Sequence, residues 1–321
     1  MVKLAESWTA ARDRLTRHGI ADASLEAEVL HRHVLSVDRG GFFATLQDQV
    51  EPSVSQAVAA LAERRLSGEP LAYILGRREF YGLDFTVNPG VLVPRQETEL
   101  LVDLTLKATA GMDMERPRIA DVGTGSGAIA VALAKRLPAA TIYATDISHE
   151  ALATAAANCC AHGVADRVRL LHGGLLAPLP GSVDIIVSNP PYIATGLLGS
   201  LPPEVKREPR LALEGGPDGL DVIRRLLAQV PSYLRPGGSL IVELSPEQKG
   251  TVAELARQAM PDADIAFSHD LLGLVRAVSV SSLTSTQAVR RAQALVRRYV
   301  PEGRSLTDEL IAERREEARR E

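Results

Sequence analysis

Residues 118–137 read RIADVGTGSGAIAVALAKRL. The opening five residues form a short run suited to a buried strand, and the residues from Gly127 onward have the small, apolar texture of a helix. Between them stand Gly123, Gly125 and Gly127. Without a Cβ the backbone can turn sharply at these positions and approach a ligand closely, with the helix N-terminus aimed at it. Strand, glycine loop and helix in that order open an α/β unit. The same alternation continues along the chain, and it decides the fold.

TIYATDI (141–147) reads as the next strand and HEALATAAANCCAHG (149–163) as its helix. VRLLHG (168–173) and VDIIVSN (183–189) are further strands. LDVIRRLLAQVPSYL (220–234) is a helix that feeds the strand GSLIVEL (238–244), and LVRAVSV (274–280) closes the series as an expected edge strand. Alternation at this spacing predicts an open parallel sheet with helices on both faces, spanning residues 95–280. Ahead of it, residues 1–77 read as a helical domain in which Leu4, Trp8, Ala11 and Leu15 recur at helical spacing, with Gly19 as a C-cap. Leu25, Val29 and Val34 mark a second helix. His31 and His33 lie two apart, so they share no helix face and are expected at the solvent or rim. Residues 78–94 read as a β-hairpin linker turning at Asn88-Pro89-Gly90. QETELLVDLTLKA (96–108) restarts a helix with Glu97 and Glu99 in its first turn, where the macrodipole favours anions. Residues 281–321 form a charged helical tail.

Composition narrows the function. Apolar residues make up 45% and charged residues 24%, as in ordinary globular proteins, and the net charge of −4 speaks against a protein that coats nucleic acid. Cys159 and Cys160 are adjacent and have no third cysteine to join, which suits a reducing cytoplasm and offers no zinc cluster. The N-terminal residues lack the apolar core of a signal peptide, and no apolar run reaches the ~18–20 residues of a membrane span. A cytoplasmic protein is expected.

Two motifs carry chemistry. The loop of Gly123, Thr124, Gly125, Ser126 and Gly127 is followed by Asp146 at the end of the next strand, where a carboxylate can accept hydrogen bonds from both hydroxyls of an adenosine ribose. NAD and S-adenosylmethionine both present such a ribose. The glycines alone do not separate them, but Asp121 just before the loop opposes a pyrophosphate and suits a sulfonium cofactor better. The second motif is Ser188-Asn189-Pro190-Pro191-Tyr192, which ends a buried strand with residues that cannot continue a ladder. The Asn189 side-chain oxygen and the Pro190 carbonyl offer two acceptors on a stiff loop, able to grip both hydrogens of one –NH2 group, and Tyr192 offers an aromatic wall. An amide nitrogen is a poor nucleophile because its lone pair is delocalised. Two acceptors favour the pyramidal form and strengthen as positive charge develops during alkylation. Neither a metal nor a covalent nucleophile is needed.

With those residues in view, the chain resembles the HemK/PrmC family of protein-(glutamine-N5) methyltransferases that modify peptide-chain release factors. The likeness rests on PLAYILGRREFYGLDFTVNPGVLVPRQETELLV (70–102), DVGTGSGAIAVALA (121–134), ATDIS (144–148), SNPPYI (188–193), EPRLALEGGPDGLDVIRRL (208–226) and VELSPEQ (242–248). It implies a class I methyltransferase (Rossmann-like) open sheet, with an N-terminal helical domain that helps dock the partner and a β-hairpin connector. The implied cofactor is S-adenosyl-L-methionine, with Gly123 to Gly127 at its amino-acid end, Asp146 at the ribose, Leu175 near the adenine and Asn189 touching cofactor and substrate. The implied substrate is the glutamine of the Gly-Gly-Gln loop in class 1 peptide-chain release factors, held by Asn189, Pro190, Pro191 and Tyr192, with Asn189, Pro190 and Tyr192 carrying catalysis. Gln96, Gly174 and Ser245 depart from the usual family residues, a second proline, an acidic residue and a glycine. Because Asn-Pro-Pro-Tyr is shared with adenine-N6 methyltransferases of DNA and RNA, that activity is the rival reading. No stable nucleic-acid binding is expected of this acidic chain. The tail from about residue 285 is similar to the C-terminal ends of VapB-like antitoxins, which implies a toxin-like partner for it.

Overall fold

A computed structural model describes residues 1–284 apart from Asp113, and beyond them only Val289, Gln293 and Arg314. The tail expected to resemble an antitoxin, and its expected partner, therefore fall outside what the described residues address. The N-terminal domain runs β1 (Val2–Lys3), α1 (Leu4–Arg17), α2 (Ala23–Leu35), α3 (Arg39–Ala44), β2 (Gln49–Val50), α4 (Pro52–Leu66) and α5 (Leu71–Leu75). Leu4, Ala11 and Leu15 of α1 are buried, and Gly19 takes the left-handed conformation just past its C-cap. Helix α2 forms as expected, and Val34 packs on the N-terminal core. Ala23, Ala27, Leu30 and His31 point inward, while Leu25 is half exposed. His31 is fully buried rather than rim-placed, its Nδ1 2.8 Å from the Ala27 carbonyl and its Nε2 3.0 Å from Ser7 Oγ. Its burial lowers the pKa of the ring, so it packs as a neutral core residue. His33 is exposed.

The connector is a hairpin, but it turns earlier than the sequence suggests. Strands β3 (Arg77–Phe80) and β4 (Leu83–Thr86) pair antiparallel around Tyr81-Gly82, both at positive φ. Asn88 instead closes a separate local turn, accepting from Gly90 N at 2.8 Å. The main domain follows with α6 (Glu99–Ala110), β5 (Arg118–Val122), α7 (Ala128–Arg136), β6 (Thr141–Asp146), α8 (His149–Ala161), β7 (Val168–His172), β8 (Val183–Ser188), α9 (Asp221–Tyr233), β9 (Leu234–Glu243), α10 (Lys249–Ala259), β10 (Asp264–His269) and β11 (Val275–Ser281).

Seven strands form one sheet in the order β10-β11-β9-β8-β5-β6-β7. The five from β9 to β7 are parallel, whereas β11 pairs antiparallel with both β9 and β10. The sheet is thus mixed, and β11 lies inside it. The edge belongs to β10, which with α10 extends the expected alternation. One face buries α6, α7 and the hairpin phenylalanines Phe80 and Phe85, and the other buries α9 and α10. Helix α7 is buried from Ala128 through Ala134 without interruption, which its unbroken apolar sequence requires. The chain runs outward from β5 to β6 and β7, then crosses back to place β8 on β5's other side. That reversal opens a crevice at the carboxyl ends of the strands, where open α/β sheets bind ligands. No described helix is long and apolar enough to cross a membrane.

Candidate active site

The register of the parallel strands sets the site. Val122 pairs with Ser188 on one side and with Thr145 on the other. The glycine loop, Asp146 and Asn189 therefore leave the sheet at one level, and Ser188 Oγ ties the two central strands by donating to the Val122 carbonyl at 2.8 Å. A cleft opens there, lined by Gly123, Gly125, Asp146, Leu175 and the run Asn189-Pro190-Pro191.

Its glycine wall is held mostly by backbone. The Gly123 and Thr124 amides both donate to the Thr145 carbonyl, at 2.9 and 3.0 Å. Gly123 and Gly125 sit at φ +74° and +56°, and an added Cβ at either would meet nothing within 4 Å, so these glycines face open space. Gly127, at φ +81°, serves packing: its Cβ would lie 3.1 Å from that of Ala155 on α8. Thr124 and Ser126 are buried behind the loop. Thr124 Oγ1 donates to Asp121 Oδ2 at 2.6 Å, the Ala130 amide donates to the same oxygen at 3.1 Å, and Asp121 Oδ1 has no partner. Complete burial pushes the Asp121 carboxyl up to about 7, against those two hydrogen bonds. Asp146 receives the Gly125 and Ser148 amides, each at 2.9 Å. A carboxylate offers about four lone-pair sites, so two remain for a diol. Leu175 occupies the left-handed region at φ +55°, with Thr145 Oγ1 donating to its carbonyl at 2.8 Å. A branched residue held there costs on the order of 1–3 kcal/mol, and such strain clusters at ligand sites.

The wall of Asn189 is held by side chains from distant parts of the chain. Asn189 Nδ2 donates to Thr98 Oγ1 at 3.0 Å, and Thr98 Oγ1 donates to Glu243 Oε2 at 2.7 Å. The Tyr192 hydroxyl donates to Glu243 Oε1 at 3.2 Å. Tyr192 thus turns its phenol to a buried carboxyl behind the loop, and both groups have raised pKa values. Burial comes first for each; it takes Glu243 to about 7, with Glu97 adding to the rise and Thr98, Tyr192 and Arg276 opposing it. Gln248 Nε2 bridges the carbonyls of Tyr192 and Gly219 at 3.0 and 3.1 Å. The glycines of EGGPDG make room for that backing. A Cβ on Gly215 would lie 2.8 Å from the Pro191 carbonyl oxygen, and one on Gly219 would lie 2.3 Å from that of Tyr192. Glu208, buried, accepts from the Val93 amide at 3.1 Å and from Arg95 at 2.5 Å, which ties the connector to the segment carrying Pro209 and Leu211 at the cleft.

Of the residues expected at the site, the fold lines one cleft with Gly123, Gly125, Asp146, Leu175, Asn189, Pro190 and Pro191. Thr124, Ser126, Gly127 and Tyr192 do not line it: the first two are buried, Gly127 packs on Ala155, and Tyr192 turns its phenol to Glu243 rather than forming an aromatic wall. Sequence reasoning passed over Thr98, Glu243, Gln248 and Glu208. All four stand inside the strings that carry the family likeness, and Glu243 also shows as an acid inside the apolar strand LIVEL.

Known proteins resemble this chain over most of its length. A family model described as the PrmC N-terminal domain matches residues 6–76, and one described as the methyltransferase small domain matches residues 95–198. A release factor glutamine methyltransferase of Moorella thermoacetica is 46% identical over 258 residues, covering 78% of this chain and 90% of that protein. Its namesake in Geobacter sulfurreducens is 45% identical over 247 residues, covering 76% of this chain and 84% of the relative. Among solved structures, the hMettl16 catalytic domain in complex with the MAT2A 3′UTR hairpin 6 superposes with a TM-score of 0.53 at 18% identity, covering 70% of this chain and 82% of that one. That last likeness bears on the fold alone.

Proposed function

The chain belongs to the release factor glutamine methyltransferase family, and from that premise we propose how its cleft performs the reaction. The enzyme methylates the side-chain amide nitrogen (N5) of the glutamine in the Gly-Gly-Gln loop of class 1 peptide-chain release factors. The observation that supports this reading best is the Val122–Ser188 register pair, which brings Asn189 and the glycine loop to the same level of the sheet. S-adenosyl-L-methionine, when bound, supplies an electrophilic methyl group.

The residues present fit that cofactor. Asp146 keeps lone pairs for two ribose hydroxyls, the open faces of Gly123 and Gly125 admit a close approach, and the acidic Asp121 behind them suits a cationic ligand over a pyrophosphate. Leu175 would flank the adenine, and the open backbone of Gly123 and Gly125 would hold the amino-acid end, with Thr124, Ser126 and Gly127 supporting the loop from behind. On the other wall Asn189 has its NH2 engaged by Thr98, so its Oδ1 is the atom left to accept from the glutamine amide. The Pro190 carbonyl is the second acceptor. Pro191 and Tyr192 keep that pair rigid, so the two hydrogen bonds strengthen as the nitrogen gains positive character in the transition state.

The test is incubation with isotopically labelled S-adenosylmethionine and, separately, a release factor, DNA and RNA. Mass spectrometry should place one added methyl group on the glutamine of the Gly-Gly-Gln loop. Label found in nucleic acid and absent from the release factor would overturn the reading.

A further inference from the structure

We propose that Thr98 and Glu243 are positioning residues that fix which end of the Asn189 side-chain amide faces the substrate. The inference rests on the reading that this cleft methylates a glutamine amide.

Proton count decides the direction. An ionised Glu243 carries no proton, so each neighbour must donate to it: Thr98 Oγ1 to Oε2 at 2.7 Å, and the Tyr192 hydroxyl to Oε1 at 3.2 Å. Thr98 has one hydroxyl proton and gives it to the carboxylate. Toward Asn189, 3.0 Å away, it can only accept. The amide must therefore turn Nδ2 to Thr98 and leave Oδ1 for the substrate. A threonine hydroxyl without that carboxylate is free to donate to Oδ1 instead. The amide then presents its NH2 to another NH2, donor against donor, and the grip on the substrate fails. A buried acid thus writes the polarity of Asn189 through one hydroxyl, without touching the substrate itself.

The carboxyl sits where protonation can reverse the relay. Glu243 faces Thr98 and Glu97 from the turn before α6, Tyr192 from the loop after β8, and Arg276 from β11, and Arg95 acts on Tyr192 nearby. Burial leads the upward shift to about 7. A proton placed on Oε2 is donated to Thr98 Oγ1, which frees the threonine proton for Asn189 and turns the amide. Turnover is therefore full above the Glu243 pKa and falls as the pH drops through it.

Thr98→Val keeps the shape and removes the hydroxyl. The expected result is a kcat on release factor reduced on the order of 10- to 100-fold, with cofactor affinity held and the melting temperature lowered because the buried Glu243 carboxyl loses a partner. Thr98→Ser should restore most of the loss, and Glu243→Gln should flatten the acidic limb of kcat. An independent readout is the Asn189 side-chain NH2 pair in a 15N correlation spectrum, assigned with Asn189→Ala. In the wild type that pair should titrate with Glu243, and in Thr98→Val it should lose this dependence. Wild-type kcat in Thr98→Val, an unchanged acidic limb in Glu243→Gln, or identical Asn189 resonances in the two proteins would overturn the relay. Absence of methyl transfer by the wild type would instead overturn the functional reading, and the spectrum alone would then decide the relay.

Discussion

The two walls of the cleft are built on opposite plans. On the glycine side, a few consecutive residues do nearly everything. Positive φ angles shape the loop, two amides share the Thr145 carbonyl, and Asp146 on the next strand closes the unit. On the Asn189 side, the four residues Asn189-Pro190-Pro191-Tyr192 draw support from positions far along the chain: Thr98 from the turn before α6, Gly215 and Gly219 from the loop before α9, and Glu243 and Gln248 around the end of β9. The difference follows from what each wall handles. A ribose diol and an amino-acid end ask for exposed backbone and a carboxylate, which a short loop supplies. A weak nucleophile asks for two acceptors fixed in direction, and direction must be imposed by groups that cannot themselves move.

The sharpest way to break this contrast is Asn189→Ala. Removing one of two acceptors should lower kcat by about 10²–10³, or roughly 3–4 kcal/mol, by analogy with loss of a preorganised hydrogen-bonding group. Cofactor binding by calorimetry should stay partly intact, because Asp146 and the glycine loop are untouched. A wild-type rate would remove Asn189 from the reaction. Next in size is Gly219→Ala. Its Cβ would fall 2.3 Å from the Tyr192 carbonyl oxygen, at a backbone φ of +79°. The loop must shift to accommodate it, and we expect a loss of about 2–4 kcal/mol in denaturant unfolding together with lost turnover. A variant as stable and active as the wild type would show that the backing loop does not support the tetrapeptide.

How far each wall was legible follows the same division. The glycine loop and Asp146 could be read because their spacing is local and their strands repeat a pattern. Asn-Pro-Pro-Tyr could be read because prolines end a strand visibly. Their support could not, because Thr98 and Glu243 are 145 residues apart and meet only after the sheet forms. The hairpin shows tertiary structure overriding a local signal. Asn88-Pro89-Gly90 carries the stronger turn chemistry, yet Asn88 spends its side chain on Gly90 N and Thr154 Oγ1, which fastens it to α8. Tyr81, a poor residue for positive φ, takes the turn because Glu99 accepts from its amide at 2.9 Å and Asp103 from its hydroxyl at 2.7 Å. His31 was misplaced for a similar reason: helical spacing gave no sign that Ser7 and the Ala27 carbonyl would satisfy its ring. Strand β10 is a partly exposed edge with little apolar run to announce it.

Asp146→Ala tests the opposite wall. It removes a carboxylate that holds Gly125 N and Ser148 N and should bind the ribose, so the cofactor dissociation constant should rise about 10- to 100-fold, on the order of 1.5–3 kcal/mol. With saturating cofactor, kcat should fall far less than in Asn189→Ala. A large kcat defect at saturation would mean that the two walls do not divide the work.

The smallest effect is the most discriminating. Gly123→Ala places a methyl group where nothing lies within 4 Å, so any loss of fold stability must come from the backbone at φ +74° alone. That strain is about 1 kcal/mol, readable as a modest shift in the denaturant midpoint. Cofactor affinity should fall by more than stability does, because the open space in front of Gly123 is the space a ligand needs. Equal small losses in both would make Gly123 a turn residue only. A binding loss well beyond the stability loss would mark it as a contact surface, in contrast to Gly219, whose alanine variant should lose stability first.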